Sequence, residues 1–181
     1  RKMSIRQVET SMRLAAELEA LELTVHPGHM TLPGRREESM KLLQDSLEQI
    51  GRLSERIGVD VSLEIMEKIP KEFVTDAQSM KETAGSRKNQ FFYTLDIAHC
   101  DSEEEPFHIL DQLKRISKIH ISNRKGGCYH TPLGNGDFSF KEMLPKLLAY
   151  GLPLVTEGYD DSRDFHRFME NTVFLKTNGG L

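Results

Sequence analysis

The sequence predicts an α/β fold built on parallel strands, and two observations carry that expectation. Segments with strand periodicity and segments with helix periodicity alternate about five times along the chain. The strand ends, at His26, Glu64, Asp96, His120 and Glu157, stand 24 to 38 residues apart. One strand, one crossover helix and their loops occupy that interval in a βα unit.

The elements follow in order. Ser4 to Ala20 reads as a helix, with Ser4 and Gln7 at capping-box spacing and Ile5, Val8, Met12 and Ala16 recurring at helical intervals. Leu21 to His26 alternates apolar and polar residues and stops at Pro27-Gly28, a strand and its break. Arg35 to Ile57 is the clearest helix, striped by Met40, Leu43, Leu47, Ile50 and Ile57 and ended by Gly58. Val61 to Ile65 is the second strand. A helix over about Thr75 to Thr83 leads to a third strand, Phe91 to Asp96. Acids open the next helix, Glu104 to Arg115, where the helix dipole favours them. Lys118 to Ser122 is the fourth strand. A glycine-rich loop comes next, then a helix capped by Ser139 and Glu142 that carries Met143, Leu144, Leu147 and Leu148. Pro153 to Glu157 is the fifth strand, and Asp161 or Ser162 caps a final helix bearing Phe165, Phe168 and Met169.

Composition is compatible with one globular domain over residues 1–181. The hydrophobic fraction of 38% suffices for a core, and the net charge of −4 selects no partner class. Cys100 and Cys128 make no disulfide framework, so a reducing, cytoplasmic setting is expected. No apolar run approaches the roughly 18–20 residues that cross a bilayer, and no signal-peptide pattern opens the chain. No membrane association is therefore expected. Because the first residue is Arg1 and not Met, the sequence is expected to begin inside a longer protein.

Chemistry collects at the strand ends. His26, Glu64, Asp96, His120 and Glu157 share an alternation phase with Glu22 and Thr24, Ser62, Thr94, Lys118 and Pro153. The opposite phase is mostly apolar: Leu21, Leu23 and Val25, Val61, Leu63 and Ile65, Ile119 and Ile121. One face should pack under helices while the other presents ionisable groups at a common C-terminal rim, where βα barrels place their catalytic residues. Three carboxylates and two imidazoles gathered there need a positive charge, which a divalent cation supplies. Mixed oxygen and nitrogen donors suit zinc, manganese, iron or cobalt better than calcium. His99, three residues after Asp96, and His130, in the loop ten residues past His120, extend the set. Taken singly, a histidine at a strand end is more often a hydrogen-bonded rim residue and a glutamate a solvated cap. Five ligand-capable strand ends out of five point to one shared metal site. His29 reads as a loop residue, and His108 and His166 as helix residues. Cys100 reads as buried, and Cys128 as a plain loop cysteine or a soft ligand.

With those residues in place, the chain resembles the xylose isomerase-like TIM-barrel superfamily, which includes sugar-phosphate isomerases and epimerases and the type-IV apurinic endonucleases. The matching segments are VHPG (25–28), SLEIM (62–66), LDIAHC (95–100), KIHISN (118–123), HTPLGNGDFSF (130–140) and LVTEG (154–158), in family order over nearly the whole chain. The resemblance implies a (β/α)8 TIM barrel of which about the last five βα units are present, in a single, N-terminally incomplete domain. The three absent strands, and a further histidine ligand, would lie upstream, or a second copy of the chain would complete the sheet as a homo-oligomer.

The resemblance also implies roles for individual residues. Glu64, Asp96, His120 and Glu157 would hold a metal. In the epimerase branch two such glutamates exchange the substrate proton from opposite faces. In the endonuclease branch the positions of His26, His99 and His130 are ligands too, and three zinc ions are held. That branch has an aspartate where this chain has Cys128. Two enzymatic readings follow, with one to three ions, zinc or manganese. The first is a sugar or sugar-phosphate isomerase or epimerase that passes through a metal-stabilised enediolate. Glu64 and Glu157 would move the proton, His99 would bind a substrate oxygen, and Asn123, Arg124 and Lys125 a phosphate or outer hydroxyl. The second is a zinc-dependent phosphodiesterase acting on abasic DNA, for which Arg35-Arg36 and Arg124-Lys125 are the only rim-adjacent basic pairs. A non-catalytic relative that keeps the fold is the third possibility.

Overall fold

A computed structural model describes residues 1–31, 34–87 and 89–179, in two compact units, Arg1–Thr94 and Leu95–Leu181. The boundary falls inside a strand.

The first unit opens with helix α1 (Lys2–Glu17), followed by strand β1 (Glu22–Val25), helix α2 (Arg36–Ile57), strand β2 (Asp60–Ile65), helix α3 (Ala77–Ala84) with a 3-10 turn, and the start of strand β3 (Phe92–Asp96). Strand order is β1-β2-β3, and β1 lies parallel to β2 in the register Thr24↔Ser62 and Val25↔Leu63. Helix α1 begins at Lys2, two residues before Ser4, so Ser4 and Gln7 form no capping box. Its buried residues are Met12 and Ala15 in place of the expected Ala16, because the inward stripe follows 5, 8, 12, 15. Helix α2 buries Leu47 and Ile50 and carries Glu37 and Glu38 in its first turn and Arg56 in its last, each sign matching the dipole it faces.

Strand β2 is covered on both faces. Val61, Leu63 and Ile65 are buried on one, and Ser62 and Glu64 on the other. The polar face is satisfied by a short hydroxyl row: Thr94 Oγ1 lies 2.6 Å from Ser62 Oγ and 3.4 Å from Thr24 Oγ1. Helix α3 starts at a reciprocal cap. Asp76 Oδ1 accepts the Ser79 amide at 2.7 Å, and Ser79 Oγ accepts the Asp76 amide at 3.1 Å.

The second unit comprises the end of β3, helix α4 (Glu105–Gln112), strands β4 (Ile116–Ile121), β5 (Asn123–Lys125) and β6 (Cys128–Thr131), helix α5 (Phe140–Leu148), strand β7 (Leu154–Thr156) and helix α6 (His166–Asn178). Strand order is β3-β4-β7, with β4 and β7 parallel in the register Ile119↔Leu154, His120↔Val155 and Ile121↔Thr156. The expected glycine-rich loop is in fact an antiparallel hairpin of β5 and β6, turned by Gly126 (φ 54°) and Gly127 (φ 85°). Two consecutive positive φ values suit a type I′ turn, whose twist matches that of its strands.

Helix caps differ from expectation here. Ser139 stands at the start of α5 but makes no side-chain cap; its amide donates to Glu103 Oε1 at 2.6 Å. Helix α6 starts at His166, later than Asp161 or Ser162 would dictate. Ser162 Oγ accepts the His166 amide at 2.8 Å and Asp160 Oδ2 the Phe168 amide at 3.1 Å, so the caps act across a turn and Asp161 has no part in them. Phe165, Phe168, Met169 and Val173 are exposed.

Burial pushes the Asp76 carboxyl up, but the Ser79 bonds outweigh it, and the group is held below its ordinary value. A carboxyl depressed in the folded state stabilises above its unfolded pKa, and that contribution is lost as pH falls through the folded value. Asp76→Ala is expected to cost about 1 kcal/mol in urea denaturation at neutral pH. The gap between variant and parent should close as the solution is made more acidic than pH 3.8, the ordinary value for the group.

Candidate metal centre

Register brings the predicted residues level with one another within each unit. One position beyond the Val25↔Leu63 pair come His26 and Glu64. Their side chains meet, His26 Nε2 to Glu64 Oε2 at 3.3 Å, with the carboxylate buried and the imidazole largely exposed.

In the second unit the backbone pairing continues past the strand ends. The Ile97 amide donates to the His120 carbonyl at 3.1 Å and the Glu157 amide to the Ile121 carbonyl at 3.2 Å. Asp96, His120 and Glu157 are therefore delivered to one rim. Asp96 is fully buried. Its Oδ1 accepts the Ala98 amide at 2.7 Å, which holds the carboxylate across the exit turn of β3. Oδ2 lies 3.9 Å from His120 Nδ1, and the same nitrogen is 2.6 Å from Glu157 Oε2. Ligand atoms of Asp96, His120 and Glu157 all lie within 4.8 Å of one another.

A second group shares the aspartate. Asp96, His99 and His130 also place ligand atoms within 4.8 Å of one another. His130 Nδ1 stands 3.8 Å from Asp96 Oδ2 and 3.0 Å from Ser122 Oγ. His130 belongs to β6 and adopts φ 61°, a left-handed backbone that is uncommon outside glycine. The rings of His99 and His130 meet edge to face with centroids 5.3 Å apart.

The donor set fits a divalent transition metal. Donors each about 2.0–2.2 Å from a zinc ion stand roughly 3–4 Å from one another, and the separations of Asp96 Oδ2 from the two imidazole nitrogens fall in that interval. Carboxylate oxygen with imidazole nitrogen is the mixture that zinc or manganese accepts.

Not every predicted residue faces this group. Asn123 is fully buried and its amide is filled by the loop it starts. Nδ2 donates to the Leu133 and Phe138 carbonyls, both at 2.9 Å. Oδ1 accepts the Arg124 amide at 2.9 Å and the Phe138 amide at 3.1 Å. Two donors and two acceptor positions exhaust a carboxamide. Gly136 presses against this amide so closely that an added Cβ would fall 2.2 Å from Asn123 Cγ. The Arg124 guanidinium donates to the Cys100 carbonyl and stands 3.5 Å from Asp101 Oδ1. Lys125 is exposed, with Nζ donating to Asn135 Oδ1 at 2.8 Å. Cys100 is buried, whereas Cys128 is exposed on β6. Sequence reasoning passed over Tyr129, whose ring meets His99 edge to face at 5.8 Å. The sole signal for the hairpin that carries it is Gly126-Gly127, a two-residue turn, which sets Tyr129 opposite Arg124.

The family model of the xylose isomerase-like TIM barrel matches residues 1–173. A relative in Methanocaldococcus jannaschii, described only as an uncharacterized protein, is 26% identical over 167 residues, which make up 89% of this chain and 65% of the relative. The chain thus spans a little under two thirds of that relative's length. Among solved structures, a D-tagatose 3-epimerase-like protein superposes with a TM-score of 0.84 at 23% identity, over 98% of this chain and 69% of its own. A D-allulose 3-epimerase from Methylomonas sp., in complex with D-allulose, gives 0.71 at 14% identity, over 96% and 68% respectively. At such identities the likeness establishes the fold.

The Asn123 amide is expected to act as the keystone of the 123–138 loop. Asn123→Ala, which strands several buried backbone groups at once, should lower unfolding free energy by about 2–3 kcal/mol. Gly136→Ala, which forces the same packing apart, should cost about 1–3 kcal/mol. Both are read by urea denaturation followed by circular dichroism.

Proposed function

Since the chain belongs to the xylose isomerase-like TIM-barrel family, we propose that it is a divalent-metal-dependent isomerase or epimerase acting on a sugar or sugar phosphate. The observation that carries this reading is the convergence of buried Asp96 with His120 and Glu157 at one rim. Glu64, buried at the end of β2 and on the same alternation phase, is proposed as the fourth ligand. The sugar epimerases among the structural relatives, one of them holding a sugar, support this substrate class. Zinc or manganese suits the donors.

When bound, the cation would polarise a substrate carbonyl and offset the negative charge that develops on its oxygen. The remaining chemistry belongs to the side chains. Glu64 or Glu157 removes the proton from the carbon beside the carbonyl, and the other glutamate returns one from the opposite face, so the configuration inverts. His99 donates a hydrogen bond to a substrate oxygen. Lys125, exposed beside the hairpin turn, meets an outer hydroxyl or phosphate. The Asn123 amide is engaged within its own loop, and the Arg124 guanidinium at the exit turn of β3, by the Cys100 carbonyl and Asp101.

One observation favours a second reading. The group formed by Asp96, His99 and His130 offers a further place for an ion. Two or three ions together would suit an apurinic endonuclease-type phosphodiesterase, with His26 as an added ligand.

Exchange of solvent deuterium into the carbon beside a ketose carbonyl, followed by NMR, tests the first reading. Glu64→Gln and Glu157→Gln should each slow it by about two to four orders of magnitude. Unchanged exchange in Glu64→Gln would sink the proposal. Cleavage of abasic duplex DNA, with two or more ions per chain by elemental analysis, would select the phosphodiesterase instead.

A further inference from the structure

Arg124 and Tyr129 are partners across the β5–β6 hairpin, and the guanidinium carbon lies 5.3 Å from the centre of the tyrosine ring. At this range a guanidinium is attracted to the ring face. Arg124 is itself tied to the exit turn of β3 through the Cys100 carbonyl and Asp101. That turn carries His99. The Tyr129 ring is thus linked through Arg124 to the turn that holds one of its two histidine neighbours.

Tyr129 passes that restraint to the two histidines. Its ring meets His99 at 5.8 Å and 75°, and stands 6.5 Å from His130 at 53°. His99 and His130 complete the set at 5.3 Å and 77°. His130 is the neighbour of Tyr129 in sequence and sits at φ 61°, a backbone state that surrounding contacts must hold. Ser122 Oγ lies 3.0 Å from His130 Nδ1, and the ring of Tyr129 packs beside the same imidazole.

The geometry points to Tyr129, clamped by Arg124, as a positioning residue that sets the ring planes of His99 and His130 and so keeps their donors within 4.8 Å of Asp96. The inference rests on the preceding reading only in assigning those histidines to the site. The tyrosine acts through its ring face and edge, not through its hydroxyl. Arg124 acts through Tyr129.

Two measurements decide it. The first needs no metal: diethyl pyrocarbonate modification of His99 and His130 in metal-free protein, followed residue by residue by peptide mass spectrometry. Tyr129→Phe should react at the wild-type rate, and Tyr129→Ala about fivefold faster at both histidines as the ring contacts that order them are lost. Arg124→Met, which uncaps the ring but leaves it in place, should fall between. The second is titration with Co2+ followed by visible absorption, where Tyr129→Ala should weaken binding about tenfold and Tyr129→Phe should restore it. Circular dichroism matched to wild type identifies variants fit for comparison, with Tyr129→Leu replacing an unfolded alanine variant. The inference is overturned if Tyr129→Ala matches wild type in histidine reactivity, or if Tyr129→Phe departs from wild type as far as Tyr129→Ala does. Wild-type protein that takes up no Co2+ would refute the metal-dependent function, while histidine reactivity would still decide the role of Tyr129.

Discussion

Asp96 is a carboxylate with no solvent exposure, and the second unit is arranged around its charge. An ionised carboxyl in such a place is tolerated only when hydrogen bonds and positive charge replace the lost water. One oxygen is answered by the Ala98 amide. The other lies among imidazole nitrogens of His120 and His130, beyond hydrogen-bond range of either. Both groups of candidate ligands pass through this single side chain. It stands at the end of β3, where the backbone pairing that aligns the neighbouring strand ends also sets its height.

That alignment explains why short strands suffice. A parallel register fixes the level of each strand end relative to the next, and the side chain at the last position inherits it. His26 and Glu64 meet in the first unit, and His120 and Glu157 in the second, although each pair lies 37 or 38 residues apart in sequence. Beneath the rim of the first unit, the hydroxyls of Thr24, Ser62 and Thr94 satisfy one another on the same polar face. They hold buried polar side chains there without adding charge.

The strands and their phases were legible in the sequence because period-two alternation is a local property that survives tertiary packing. Leu63 against Glu64, or Leu95 against Asp96, announces a strand whose two faces differ. What was not legible depended on where a side chain ends up, not on which residue it is. Ser4 and Ser139 have capping spacing but no capping bond, whereas Asp160 and Ser162 cap α6 from across a turn. Asn123 reads as a polar residue available to a substrate until the returning chain at Leu133 and Phe138 claims its amide. The hairpin escaped because its strands span only three and four residues, too short for a pattern, leaving Gly126-Gly127 as the sole signal.

The Asn123 knot separates two jobs that loops in this fold class must combine. It gathers both ends of the excursion into one amide, fixing where the chain leaves β4 and where it returns. Between those ends, Tyr129 and His130 belong to the candidate site, so divergence in evolution or in the laboratory has its room at the other positions while the strand beneath keeps its place. Retargeting such a protein to a new molecule would begin at Lys125 and the positions around it, leaving Tyr129, His130 and the two anchors, Asn123 and Gly136, untouched.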